Sequence, residues 1–133
     1  MKNMILKTKS TDFGLLILRI SVAGLMLIHG IFKILNGIGF IKEMAGSMAY
    51  GVYIGEVLAP IAIIIGFRTR IASAILAFNC LVALLMVHAK DLLALNSYGG
   101  YANELLFLYM FGAAALMFSG AGKYAVSRKS LWD

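Results

Sequence analysis

The sequence predicts an all-α fold: a transmembrane four-helix up-down bundle with both termini in the cytoplasm and a short interfacial helix between spans one and two. Three observations lead there. Hydrophobic residues make up 62% of the chain and charged residues only 14%, with a mean hydropathy of +0.91, far from the balance of a soluble domain. Four apolar runs recur, each approaching the ~20 residues a helix needs to cross about 30 Å of hydrocarbon. The basic residues gather at the ends of those runs and mostly on one side. The 133 residues read as one membrane domain, 1–133, with spans at about 15–35, 52–67, 71–88 and 101–118.

The first run follows a basic N-terminal region as a signal peptide would. It is too long and too charged for one, and it lacks a small-residue cleavage site before Lys33, so it reads as a retained anchor. The stretch "NGIGFIKEMAGSMAYG" after it is glycine-rich with a weakly amphipathic middle, which predicts the interfacial helix on the outer face. Span two is short and contains Pro60, whose freed carbonyl a neighbouring helix can satisfy. "RTR" at Arg68–Arg70 separates spans two and three so tightly that they must form an antiparallel hairpin. "KDLLALNSYGGY" precedes span four, and "SGAGKY" after it reads as a glycine helix stop.

Orientation follows from the cations outside the spans. Lys2, Lys7, Lys9, Arg68, Arg70, Lys123, Arg128 and Lys129 fall on one side, with Lys42 and Lys90 on the other, which puts both termini inside. Tyr50, Tyr53, Tyr98 and Tyr101 outside, and Phe13, Tyr124 and Trp132 inside, suit aromatic belts. The net charge of +6 is thereby explained by topology, and nucleic acid is not an expected partner. Cys80 is the only cysteine, which excludes a disulfide framework and a dithiol relay within the chain. There is no G-x-G-x-x-G, phosphate loop or nucleophile elbow. His29, Glu56, Glu104 and His88 have zinc-ligand chemistry but no metal-binding spacing, so no metal is expected.

Polar residues inside the spans carry the candidate chemistry. At 100° per residue Arg19, His29 and Lys33 fall on one stripe with Val22, Met26 and Gly30. A charge on the lipid face costs at least ~2.5–3.5 kcal/mol near mid-bilayer, so the stripe should face protein. Spans two and four, running inward, place Glu56 and Glu104 in their first turns at the level of His29 and Lys33, and His88 at the outward end of span three joins them. Glu56 and Glu104 are the candidates for proton transfer, and Arg19, His29, Lys33 and His88 for ligand binding. Each has a plainer reading beside it: Arg19 and Lys33 as snorkelling cations, His88 as an interfacial histidine. Asn79 reads as interhelical glue and Cys80 as a small packing residue.

"LRISVAGLMLIHGIFKIL", "GEVLAPIAIIIGFRTRIAS" and "NELLFLYMFGAAALMFSGAGKYAVS" together resemble the DoxX family of small four-span bacterial membrane proteins, related to the DoxD subunit of thiosulfate:quinone oxidoreductase. The shared pattern is an Arg, a Gly, then His-Gly and Lys in the first span; a Glu, a closing Gly and a Thr-Arg turn in the second; and a G-x-G-[RK]-Y end. Two departures stand out: Ala121 occupies the usual proline position, and "AVS" replaces the commoner "SLD", removing any contact that depends on that carboxylate. The resemblance implies a multi-pass protein of the cytoplasmic (inner) membrane, tied in some members to quinone-linked sulfur oxidation or to oxidative-stress complexes. The function it points to is the quinone-interacting subunit of an oxidoreductase. The chain shows no haem, flavin or iron–sulfur ligand set, so electrons would come from a partner redox subunit or a bound reductant. The bilayer and a quinone are the expected partners, with that subunit or further copies of the chain. A scaffold that docks a soluble enzyme and a small proton-coupled exporter are the competing readings. Small exporters, however, carry their key carboxylate in span one, where this chain has cations.

Overall fold

The structure is a computed structural model, which describes the backbone of residues 2–133 and the side chains from Ser10 onward. The side chains of Lys2, Lys7 and Lys9, counted in the charge bias, lie outside the described residues. Helix α1 (Lys2–Asn36) includes the apolar stretch Ser10–Asn36 and ends at Gly37, whose φ of 81° reverses the chain.

Helical segment α2 (Gly39–Ile65) holds both the expected short helix and the second span. The short helix covers Gly39–Ala45 and ends at Gly46, whose φ of 59° turns the backbone out of the helical range, and a 3-10 helix at Gly46–Tyr50 then leads into the span. Pro60 does not end it. Proline has no N–H to give the carbonyl of Glu56, and its ring crowds that carbonyl. The residues just before it, Ile54–Leu58, form a π-helical turn in which the Ala59 N–H reaches back to the Ile54 carbonyl. The wider turn accommodates the proline, so Glu56 lies mid-helix rather than in a first turn.

The α2 helix closes on a Schellman-type turn: Gly66, at φ 77°, donates to the Ala62 and Ile63 carbonyls and Phe67 to Ala62. Arg68 follows at φ 48°, and α3 (Thr69–Val87) starts at once and packs back on α2, as the expected hairpin requires. After a 3-10 turn at Ala89–Asp91, the loop to α4 closes on an antiparallel bridge between Leu95 and Tyr101. Helix α4 (Glu104–Ser119) begins three residues later than expected. Its 16 residues rise only ~24 Å, so among the described residues three helices have the length and apolar character to cross a membrane by themselves.

Neighbours in sequence pack together, and α1 also touches α4. Val22, Ala23 and Met26 from α1, Ala59 and Ile63 from α2, Leu76 and Cys80 from α3, and Tyr109, Ala113 and Leu116 from α4 form the shared core. Large apolar side chains such as Phe32, Leu58, Phe78, Leu108 and Phe111 point outward instead, the inverse of a soluble helical protein. Where α1 crosses α2 the backbones nearly touch, and a methyl at Gly30 would overlap the Glu56 carbonyl. Beyond Ser119 the chain folds back under the helix ends: Val126 and Ser127 donate to the Ile65 and Gly66 carbonyls, and Arg70 donates to Trp132.

Candidate functional site

Two cations on α1 have opposite surroundings. Arg19 is 1% exposed, and its guanidinium makes four hydrogen bonds, all to backbone carbonyls: Ile63 at 2.8 Å, Ile64 at 2.7 Å, Ala121 at 3.1 Å, and Tyr124. The first two belong to the last turn of α2, whose carbonyls lack the usual donor four residues on and carry the negative end of the helix dipole. The other two belong to the tail beyond α4. Arg19 therefore ties α1, α2 and the tail together. It does not line the cavity that holds the other candidates, and neither the ligand role nor the snorkelling cation expected for it describes this position.

Farther along the same face, Lys33 Nζ donates to Glu56 Oε1 at 2.6 Å, and Asn79 Nδ2 donates to the same oxygen at 3.3 Å. The Lys33 side chain is 29% exposed and that of Glu56 6%, so the pair spans the boundary between solvent-reachable and buried space. Glu56 Oε2 is buried and has no hydrogen-bond partner among the described residues. That is unusual for a carboxylate in a protein interior, where an unmet acceptor costs about 1–3 kcal/mol or more. The π turn sets this position, and Gly55 beside it leaves the space that the Asn79 side chain fills.

Glu56 lines a cavity of about 470 Å³. Met26, His29 and Lys33 come to it from α1, Glu56 from α2, Asn79 and Met86 from α3, His88 from the end of α3, and Asn103, Leu106 and Tyr109 from the start of α4. The remaining lining is mainly apolar, and Phe40, Met44, Val87 and Leu105 are exposed at its margin. His29 Nδ1 lies 3.1 Å from the Leu25 carbonyl, which can only accept; the proton is therefore on Nδ1, and a neutral ring keeps Nε2 as an acceptor. Its ring meets Tyr109 edge-on at 5.9 Å.

The structure thus brings Lys33, Glu56, His29 and His88 to one cavity and leaves Glu104 out. Glu104 is exposed at the start of α4 and does not line it, which corrects the expected convergence of both carboxylates. The reason is register. Leu105, Leu106 and Tyr109 face the cavity, and at 100° per residue Glu104 points about 150° away from their mean direction. Asn103 and Tyr109 stand in the position expected of Glu104. The sequence signal for Asn103 was its place as the residue before a helical run, and its Nδ2 donates to the Asp91 carbonyl. Tyr109 looked like one more aromatic in an apolar run. Among the described residues no three His, Cys, Asp or Glu side chains form a metal-binding group.

A model of the DoxX family matches residues 14–89, over half of the chain. The match takes in Arg19, His29, Lys33, Glu56, Asn79 and His88, and stops before Glu104 and Tyr109. No curated protein and no solved structure matches the chain. The chain belongs to the DoxX family.

Proposed function

We propose that this DoxX-family chain is the quinone-binding membrane subunit of an oxidoreductase, and that the cavity around Glu56 receives the quinone headgroup. The observation that carries this reading is the buried Glu56 Oε2, without a hydrogen-bond partner among the described residues, in a mainly apolar cavity. A quinone supplies two-electron, two-proton redox chemistry when bound, and a site for it needs apolar walls with a few groups that hold or move protons. The cavity fits: Leu106, Met26 and Val82 supply the walls, and Glu56, Lys33 and His29 the polar groups. The exposed apolar margin at Phe40, Met44 and Leu105 suits a ligand that arrives from the lipid.

In this reading Lys33 holds one carboxylate oxygen by a charge-assisted hydrogen bond and so fixes the direction of the other. Glu56 Oε2 accepts a proton from the ligand's hydroxyl or returns one to its carbonyl oxygen. His29 Nε2, the acceptor when the ring is neutral with its proton on Nδ1, carries the proton onward, and Tyr109 keeps its ring in place. Electrons pass to or from a partner redox subunit. The reading also includes a four-helix bundle in the cytoplasmic membrane with both termini inside, supported by the bias of basic residues toward one end.

Purification in mild detergent, followed by organic extraction, tests it. Quinone should co-purify at near one per chain and fall to background in the cavity-filling Ala83→Phe variant. Quinone at the level of bulk lipid in both would reject the assignment.

A further inference from the structure

The opposite end of the molecule holds a second, open cavity of about 470 Å³ where the tail folds under α1 and α3. We propose that it is a phosphate site. Three cations line it: Arg70 from the first turn of α3, with Lys123 and Arg128 from the tail. Arg70 is half-buried, and among the described residues its guanidinium makes no hydrogen bond and no ion pair. A half-buried guanidinium with no hydrogen-bonded partner keeps its donors free, and its planar fork matches two oxygens of a phosphate.

Two carboxylates also line the cavity; the protein hydrogen-bonds one oxygen of each, and Asp133 Oδ1 is buried with no hydrogen bond. Asp12 Oδ1 accepts the Lys123 N–H at 3.0 Å. Asp133 Oδ2 accepts the Ser127 hydroxyl at 2.8 Å and the N–H groups of Lys129 and Ser130 at 2.9 and 2.7 Å, while Oδ1 lies 3.8 Å from Arg68 Nη1. They shape the tail and leave Arg70, Lys123 and Arg128 to face an incoming anion.

The cavity sits at headgroup level, because its lining comes from the ends of the apolar stretches: Asp12 near the start of α1, Arg70 at the start of α3 and Ser119 at the end of α4. Exposed Phe13 and Phe118, each next in sequence to a lining residue, and exposed Leu131 at the cavity itself offer an apolar surface for acyl chains. Basic pockets at this depth take anionic lipid headgroups. A soluble phosphate compound carries the same anion, and the test separates the two sources.

The full chain in neutral maltoside detergent is titrated with phosphatidylglycerol, phosphatidylcholine or inorganic phosphate, and apparent affinity is read from the rise in melting temperature. Phosphatidylglycerol should bind saturably and more tightly than phosphatidylcholine. Arg70→Gln and Arg128→Gln should each weaken it about tenfold, the loss of one charge-assisted contact. Lys129→Gln, exposed and outside the cavity, should leave it unchanged. Saturable binding of inorganic phosphate that Arg70→Gln abolishes would support the site and assign it to a soluble phosphate compound. If Arg70→Gln does not fold, exposed Arg128 carries the comparison. Three results would overturn the proposal: wild-type affinity in the folded cavity variants, an equal loss in Lys129→Gln, or no saturable binding of either phosphate source.

Discussion

Arg19 and Lys33 lie about 21 Å apart along one face of one helix, and both are cations that a membrane helix would be expected to avoid. Arg19 meets four carbonyl oxygens and no carboxylate, so every partner is backbone and every partner is satisfied. Lys33 meets a carboxylate whose second oxygen has no hydrogen-bond partner among the described residues. The first arrangement is complete within the described chain. The second leaves one buried acceptor open, and in the proposed reading the quinone headgroup meets it.

The comparison predicts that damage at the two ends has different character. Arg19→Met should show the largest effect, a loss on the order of 3–5 kcal/mol, because it strands several buried carbonyls at once. Arg19→Lys should recover little of it, since an ammonium cannot span the same fork. Folded yield by detergent size-exclusion chromatography checks both, and a normal yield of Arg19→Met would erase the distinction.

Gly30→Ala comes next. The added methyl must push α1 away from the Glu56 carbonyl, at a cost of about 1–3 kcal/mol. Its melting temperature should fall clearly below that of Gly24→Ala, where a methyl meets nothing within 4 Å.

A smaller effect concerns Asp133 and acid. Burial pushes its carboxyl up, but the Ser130 N–H, the Ser127 hydroxyl, the Lys129 N–H and Arg68 together hold it below the ordinary carboxylate range. A depressed folded value means the stabilisation is complete above about pH 4 and is lost as pH falls through that lower value. Hydrogen exchange at residues 127–133 should therefore be flat from neutral pH down to about pH 4, once corrected for intrinsic rates, and quicken only below it. Glu104→Gln should do least, within about 0.5 kcal/mol of wild type and without effect on ligand binding, because its carboxylate is exposed and outside the cavity.

Much of this was legible in the sequence. Hydropathy gave the apolar stretches, the period of 3.6 put Arg19, His29 and Lys33 on one face, and the scarcity of carboxylates drew attention to Glu56. What escaped depends on backbone. Nothing in a sequence marks the carbonyls of Ile63, Ile64, Ala121 and Tyr124 as partners for Arg19, because every residue has a carbonyl and only the fold aims these four. Pro60 suggested a short second span, whereas a π turn absorbed it and carried Glu56 into mid-helix. Glu104 failed on register, since it points about 150° away from the face that Leu105, Leu106 and Tyr109 turn to the cavity. Its expected place fell to Tyr109 and Asn103, whose polarity is modest and whose importance lies in where the helix begins.

The most direct test of the account is the affinity of a short-chain quinone analogue for purified Glu56→Gln beside wild type, with folded yield measured on the same preparations. The substitution keeps the shape and the contact with Asn79 but leaves Lys33 without its counter-charge and replaces an oxygen that can take up a proton. The account predicts near-normal yield and affinity at least about tenfold weaker, equivalent to about 1.4 kcal/mol. Wild-type affinity at normal yield would contradict it and return the Lys33–Glu56 pair to the same structural role as Arg19.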